Sequence, residues 1–110
     1  MKEFALTLNL KDDPAAIEEY KRHHRAVWPE VQDSLKKIGI TGMRIYLLGR
    51  RMFMVMQTVD HFDAARDFPR YLTLSPKCQE WEDLMGRFQE KVPEAKADEK
   101  WALMEKVFEL

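Results

Sequence analysis

The chain has 110 residues, which makes a single domain over 1–110 with a real but modest core. Hydrophobic residues make up 45% and charged residues 34%, with 18 basic against 19 acidic side chains and a net charge of -1. No long basic run is present to serve a nucleic-acid partner, no apolar run approaches the roughly 20 residues that span a membrane, and Met1-Lys2-Glu3-Phe4 lacks the pattern of a secretion signal.

In chain order, residues 3–10 alternate, with Phe4, Leu6, Leu8 and Leu10 on one face, which predicts a strand. Asp13-Pro14 reads as an N-cap followed by proline at the first helical position. Ile17, Tyr20, His24, Val27, Trp28, Val31, Leu35 and Ile38 then recur at steps of three or four, the spacing of one helix face. Pro29 interrupts that run and kinks the helix or splits it in two. Gly39 and Gly42 end it.

Residues 43–48 and 52–59 read as two strands joined by the short turn Gly49-Arg50-Arg51. Both are apolar on both faces, as strands covered from both sides are. A short helix follows over 61–73, and Ser75-Pro76 opens another with the stripe Cys78, Trp81, Leu84, Met85 and Phe88. Residues 92–99 read as a loop and 101–109 as a closing strand. The order β, α, β, β, α, β is that of an α+β, ferredoxin-like βαββαβ antiparallel sheet with helices on one face. The bare sheet face should pack against a second copy of the chain, giving a homodimer.

Chemistry concentrates in Tyr20-Lys21-Arg22-His23-His24, followed by Trp28 and Pro29. Tyr20 and His24 are four apart and so share one side of the helix. An inward histidine between a tyrosine and a tryptophan is a candidate acid or base. The competing reading is a buried histidine satisfied by a backbone carbonyl. His23 lies off the stripe and reads as solvated. Trp81, beside Glu82, offers an aromatic wall with a carboxylate, a pairing suited to a sugar; a core tryptophan is the alternative. Cys78 is the only cysteine, has no partner for a disulfide and reads as a core thiol in a reducing cytoplasm. Asp60-His61-Phe62-Asp63 reads as a helix cap rather than a metal site, and Met52, Met54 and Met56 as core packing or a dimer face.

Several segments together resemble the L-rhamnose mutarotase family over nearly the whole chain. They are Glu19-Tyr20-Lys21-Arg22-His23-His24, Val27-Trp28-Pro29-Glu30, Ile45-Tyr46-Leu47, Cys78-Gln79-Glu80-Trp81 and Glu105-Lys106-Val107-Phe108. The resemblance implies a dimeric α/β-barrel, a monosaccharide substrate and no cofactor or metal. It also implies His24 as the proton donor and Tyr20 as a sugar contact. The family's second sugar-contacting tyrosine falls at Met43, and its tryptophan pair falls at Trp81 and Glu82, so the pocket walls differ while the catalytic acid stays. The implied reaction is interconversion of the α and β anomers of a 6-deoxy-L-hexose by ring opening and closing. L-Rhamnose is the expected sugar and L-fucose the alternative. A cofactor-free monooxygenase or haem-handling protein of the same shape and a non-catalytic sugar-binding module are the competing readings.

Overall fold

Why the chain breaks where it does is visible in its caps. In the computed structural model, which describes residues 1–110, β1 (Lys2–Leu10) leads into α1 (Pro14–His24). Asp13 is extended at the N-cap and its carboxylate accepts from the Ala15 amide, one of the donors that a helix start leaves without a partner. After His24 the Arg25 and Ala26 amides bond back only three residues, to Arg22 and His23, and the helix tightens and stops. Trp28 is extended, as a residue before proline prefers, and α2 (Pro29–Lys37) starts afresh. Pro29 therefore splits the helix instead of kinking it. Gly39, at φ 103°, ends α2; a Cβ there would meet the Val59 side chain at 2.7 Å. Gly42 belongs to the next strand, where it takes up a register shift in the pairing of β2 with β3.

The hairpin of β2 (Ile40–Leu48) and β3 (Arg51–Thr58) turns through Gly49 at φ 61°. α3 (Ala64–Leu74) is capped by Asp63, which accepts from the Ala65 and Arg66 amides. α4 (Pro76–Gly86) is capped by Ser75. Buried Asp67 is held ionised well below the usual carboxylate range by the Arg66 guanidinium, the Asp63 amide and Arg70, and so fixes the start of α3.

The sheet is antiparallel, in the order β2-β3-β1-β4, with β5 (Ala102–Leu103) also on β1 and β4 formed by Gln89–Glu90. The register sets Leu6 opposite Met54 and Met54 opposite Ile45, with Leu8, Met52 and Leu47 in the next row. That face lies under the helices. Leu8, Leu10, Met52 and Met56 form the core with Val31, Ile38, Phe62, Cys78 and Met85. The methionine stripe is thus core.

The last strand departs from expectation. Only Ala102–Leu103 pairs within 101–109, the Met104 amide adds one bond to Ala5, and the chain beyond has no regular structure. Val107 and Phe108 are 89% and 76% exposed, so little apolar area is buried that would favour extending the strand. The β1 edge is instead shared with β4, which the sequence pattern did not reveal. On the face away from the helices, Tyr46 and Phe53 pair at 6.4 Å and Leu48 is open to solvent. No helix is long and apolar enough to cross a membrane.

Candidate functional site

The last turn of α1 carries the site. Tyr20 is buried and stacks on His24, with ring centroids 4.2 Å apart and planes at 27°. His24 Nδ1 lies 2.9 Å from the Tyr20 carbonyl oxygen. A carbonyl can only accept, so Nδ1 carries the proton and Nε2 keeps its lone pair. Nε2 has no hydrogen-bond partner in the protein. Burial lowers the His24 pKa from its usual 6.5; the carbonyl bond opposes this and the charge of His23 adds to it. The imidazole is therefore neutral at pH 7, with an Nε2 lone pair able to accept a proton.

α4 closes the other side. Trp81 meets the His24 ring edge-on at 5.4 Å and the Trp28 ring at 5.1 Å. Trp28, at the head of α2, is a wall residue and also takes the Lys77 ammonium over its face at 5.3 Å. Glu82, next on α4, is ion-paired with Lys100 at 3.1 Å. Tyr20 is pushed up to about 12, first by burial and further by the Glu82 charge, while the Gln89 amide pulls the other way. Burial also raises Tyr71, helped by Cys78 and Glu82. Both phenols stay protonated across the neutral range.

Tyr20, His24, Trp28 and Trp81 thus form one cluster, with Glu82 beside it. Met43 lies on β2 opposite Met56, half-buried on the helix-covered face and packed against the core that includes Tyr20 and Trp81. Cys78 is fully buried and Asp63 is a cap, in line with their structural readings.

His23 is a correction. Its side chain is only 20% exposed and its ring lies 5.8 Å from Phe88 and 6.4 Å from Trp81. Helical spacing puts it off the stripe, but α4 and the start of β4 wrap around the end of α1 and cover it. Tyr71 and Gln89 were also missed. The 3.6-residue period of α3 gives Tyr71 an inward place; nothing in the local pattern marks Gln89.

The cluster combines a neutral imidazole with a free Nε2, a phenol that holds its proton and an indole wall. Such a set can take a proton from one oxygen and give one to another on a polyol whose C–H face lies on the ring.

Known proteins resemble the chain closely. The family model for L-rhamnose mutarotase matches residues 3–110. A Dictyostelium discoideum protein of the UPF0734 group is 43% identical across 99% of this chain and 90% of its own length. An L-fucose mutarotase of Xanthomonas campestris is 38% identical across all of this chain and 89% of its own length. The crystal structure of an L-rhamnose mutarotase from Formosa agariphila shares the fold, with a TM-score of 0.70 at 19% identity over 100% of this chain and 99% of that one. So does a tetracenomycin F2 cyclase from Streptomyces glaucescens, at a TM-score of 0.66 and 13% identity over 100% and 97% of the two chains. On the match over residues 3–110, the chain belongs to the L-rhamnose mutarotase family.

Proposed function

We propose that the protein is a sugar mutarotase that interconverts the α and β anomers of a 6-deoxy-L-hexose. The observation that carries the reading is the His24 imidazole stacked on Tyr20 with its Nε2 free. The family model and the mutarotase relatives support the reaction class. The sugar lies against Trp81, with Glu82 and Met43 shaping the space around it.

The chemistry needs one base and one acid. His24 Nε2 takes the proton of the anomeric hydroxyl while the Tyr20 hydroxyl gives its proton to the ring oxygen. The C1–O5 bond breaks, its electron pair stays on the ring oxygen, and C1 becomes an aldehyde. Rotation about C1–C2 presents the other face, and both transfers reverse as the ring closes. His24 is then the donor to the anomeric oxygen in the closing direction. The sequence of transfers needs no redox partner.

Between the two sugars, L-fucose is favoured. The L-fucose mutarotase relative aligns with all of this chain, whereas an L-rhamnose mutarotase of Jannaschia sp. aligns with 63% of it at 32% identity. Met43 and Glu82, which replace a tyrosine and a tryptophan of the L-rhamnose pattern, support the same choice. Saturation-transfer NMR of anomer exchange on L-fucose and L-rhamnose tests the reading directly.

The working unit is a homodimer closed over the open sheet face. Tyr46, Leu48 and Phe53 on that face and the apolar tail from Met104 onward support it, since a monomer seldom leaves so much apolar surface bare.

A further inference from the structure

We propose that Lys100 is a positioning residue for sugar choice: it holds the Glu82 carboxylate by one oxygen, so that the other is presented to a ring hydroxyl of the substrate. The inference rests on the mutarotase reading above. Glu82 lies one helical turn from buried Cys78 and one from buried Met85, so its side chain leaves α4 on the flank of the inward stripe, next to Trp81. The Lys100 ammonium reaches it from 18 residues further along the chain. Its Nζ is 3.1 Å from Glu82 Oε2 and 3.4 Å from the Glu82 carbonyl oxygen, so the lysine grips both ends of one residue. Oε1 makes no hydrogen bond in the protein. The two side chains are 35% and 38% exposed, which leaves the free oxygen within reach of a ligand.

Lys100 is not carried on a free arm. Residues 91–101 form a strap that leaves β1 after the Leu10–Gln89 pair and returns to it at Thr7 and Ala102. Within the strap, Lys91 Nζ donates to the Ala97 carbonyl at 2.9 Å, and the Glu99 carboxylate accepts from the Lys96 and Leu103 amides at 3.0 and 3.3 Å. Trp101 packs against the core. The backbone on both sides of Lys100 is therefore fixed. Gly86, one turn past Glu82, leaves the approach along α4 bare; a Cβ there would already stand 3.7 Å from Nζ.

A half-exposed carboxylate without that ammonium would turn among several rotamers in water, and ordering it on a sugar would weaken binding. With Lys100 in place the ordering is complete before the sugar arrives. The family pattern has a tryptophan at this position. An indole offers a flat wall to the C–H face of a sugar, whereas a held acceptor requires a hydroxyl at one point, and a site built to hydrogen-bond a hydroxyl discriminates more sharply than an apolar wall. L-Fucose and L-rhamnose differ only in the orientation of two ring hydroxyls, the difference that such an acceptor reads.

The test is NMR anomer exchange at several concentrations of L-fucose and of L-rhamnose, with the wild type, Lys100→Met, Lys100→Arg, Glu82→Ala and the double variant Lys100→Met with Glu82→Ala. Lys100→Met raises KM for L-fucose about tenfold, leaves kcat within about twofold and moves KM for L-rhamnose much less. Lys100→Arg keeps the charge and restores most of the L-fucose KM. In the Glu82→Ala background Lys100→Met changes nothing further, because no carboxylate is left to hold. The melting temperature of Lys100→Met stays close to that of the wild type, as for other half-exposed ion pairs. Lys100→Gln removes the charge with a more polar side chain, behaves like Lys100→Met and covers a variant that fails to fold. An L-fucose KM unmoved by Lys100→Met, an equal rise on both sugars, or the same loss with Glu82 already removed makes Lys100 a plain clasp of the strap and overturns this inference alone. A wild type that exchanges neither sugar overturns the mutarotase reading and takes this inference with it.

Discussion

Tyr20 touches His24 twice, through the ring stack at 4.2 Å and through its own carbonyl, which accepts the Nδ1–H hydrogen bond with N and O 2.9 Å apart. One residue therefore fixes both the plane and the tautomer of the imidazole. His24→Ala removes the base, and the catalysed exchange falls by roughly 10²–10⁴-fold. His24→Gln keeps a polar side chain at the same place without a titrating nitrogen and falls as far. The half-buried ring contributes little to stability, so both variants keep the circular dichroism spectrum of the wild type. Tyr20→Phe keeps the stack and the backbone carbonyl and loses only the hydroxyl. Its kcat drops by about tenfold or more while sugar still binds.

The pH profile follows from the sign of the His24 shift. Its pKa is lowered from 6.5, chiefly by burial, and the neutral form is the working base. Catalysed exchange is therefore level at neutral pH and falls as the pH drops through an inflection below 6.5. The same group links pH to stability. Unfolded, it binds a proton near 6.5; folded, only at lower pH. Its contribution is intact above 6.5 and is lost as the pH falls through the folded value. A rate that climbs above the buffer reaction as the pH drops below 6.5 would identify the imidazolium as the active form. Tyr20, pushed up to about 12, adds no alkaline limb below pH 10.

Sugar choice should move with the two positions that depart from the family pattern. Met43→Tyr and Glu82→Trp, alone and together, shift the ratio of kcat/KM values toward L-rhamnose by about tenfold for the pair, the scale of a few pocket contacts. Glu82→Trp also breaks the ion pair with Lys100, a half-exposed contact of little weight, so folding survives. An unchanged ratio would remove both residues from the pocket.

The homodimer is checked by light scattering. At micromolar concentration the mass should be twice that of the 13.1 kDa chain. Phe53→Lys, in the middle of the open face, should return it to the monomer, because a lone charge buried there has no partner.

Most of the fold was legible in local chemistry. Leu6, Leu8 and Leu10 alternate as a strand must, Asp13-Pro14 and Ser75-Pro76 mark helix starts, and Pro29 marks a break whose form, a split, needed the structure. The closing edge was not legible. Gln89–Glu90 is too short for any periodicity, and the alternation in 101–109 has a real apolar pattern with no surface inside the chain to bury it. The same split holds at the candidate site. Helical spacing gives Tyr20, His24 and Trp81 inward faces, but only the family resemblance sets a role for them beside a structural one. His23 enters only because distant segments close around the end of α1, which no spacing along the chain encodes.

The most direct test of the central claim is saturation transfer between the anomeric proton signals of L-fucose, with wild-type protein and with His24→Ala at equal concentration. Transfer well above that in buffer for the wild type, and a return to the buffer rate for His24→Ala with the fold intact, is the result expected. Transfer by His24→Ala equal to that of the wild type, or none above buffer on either L-fucose or L-rhamnose with the wild type, would contradict it.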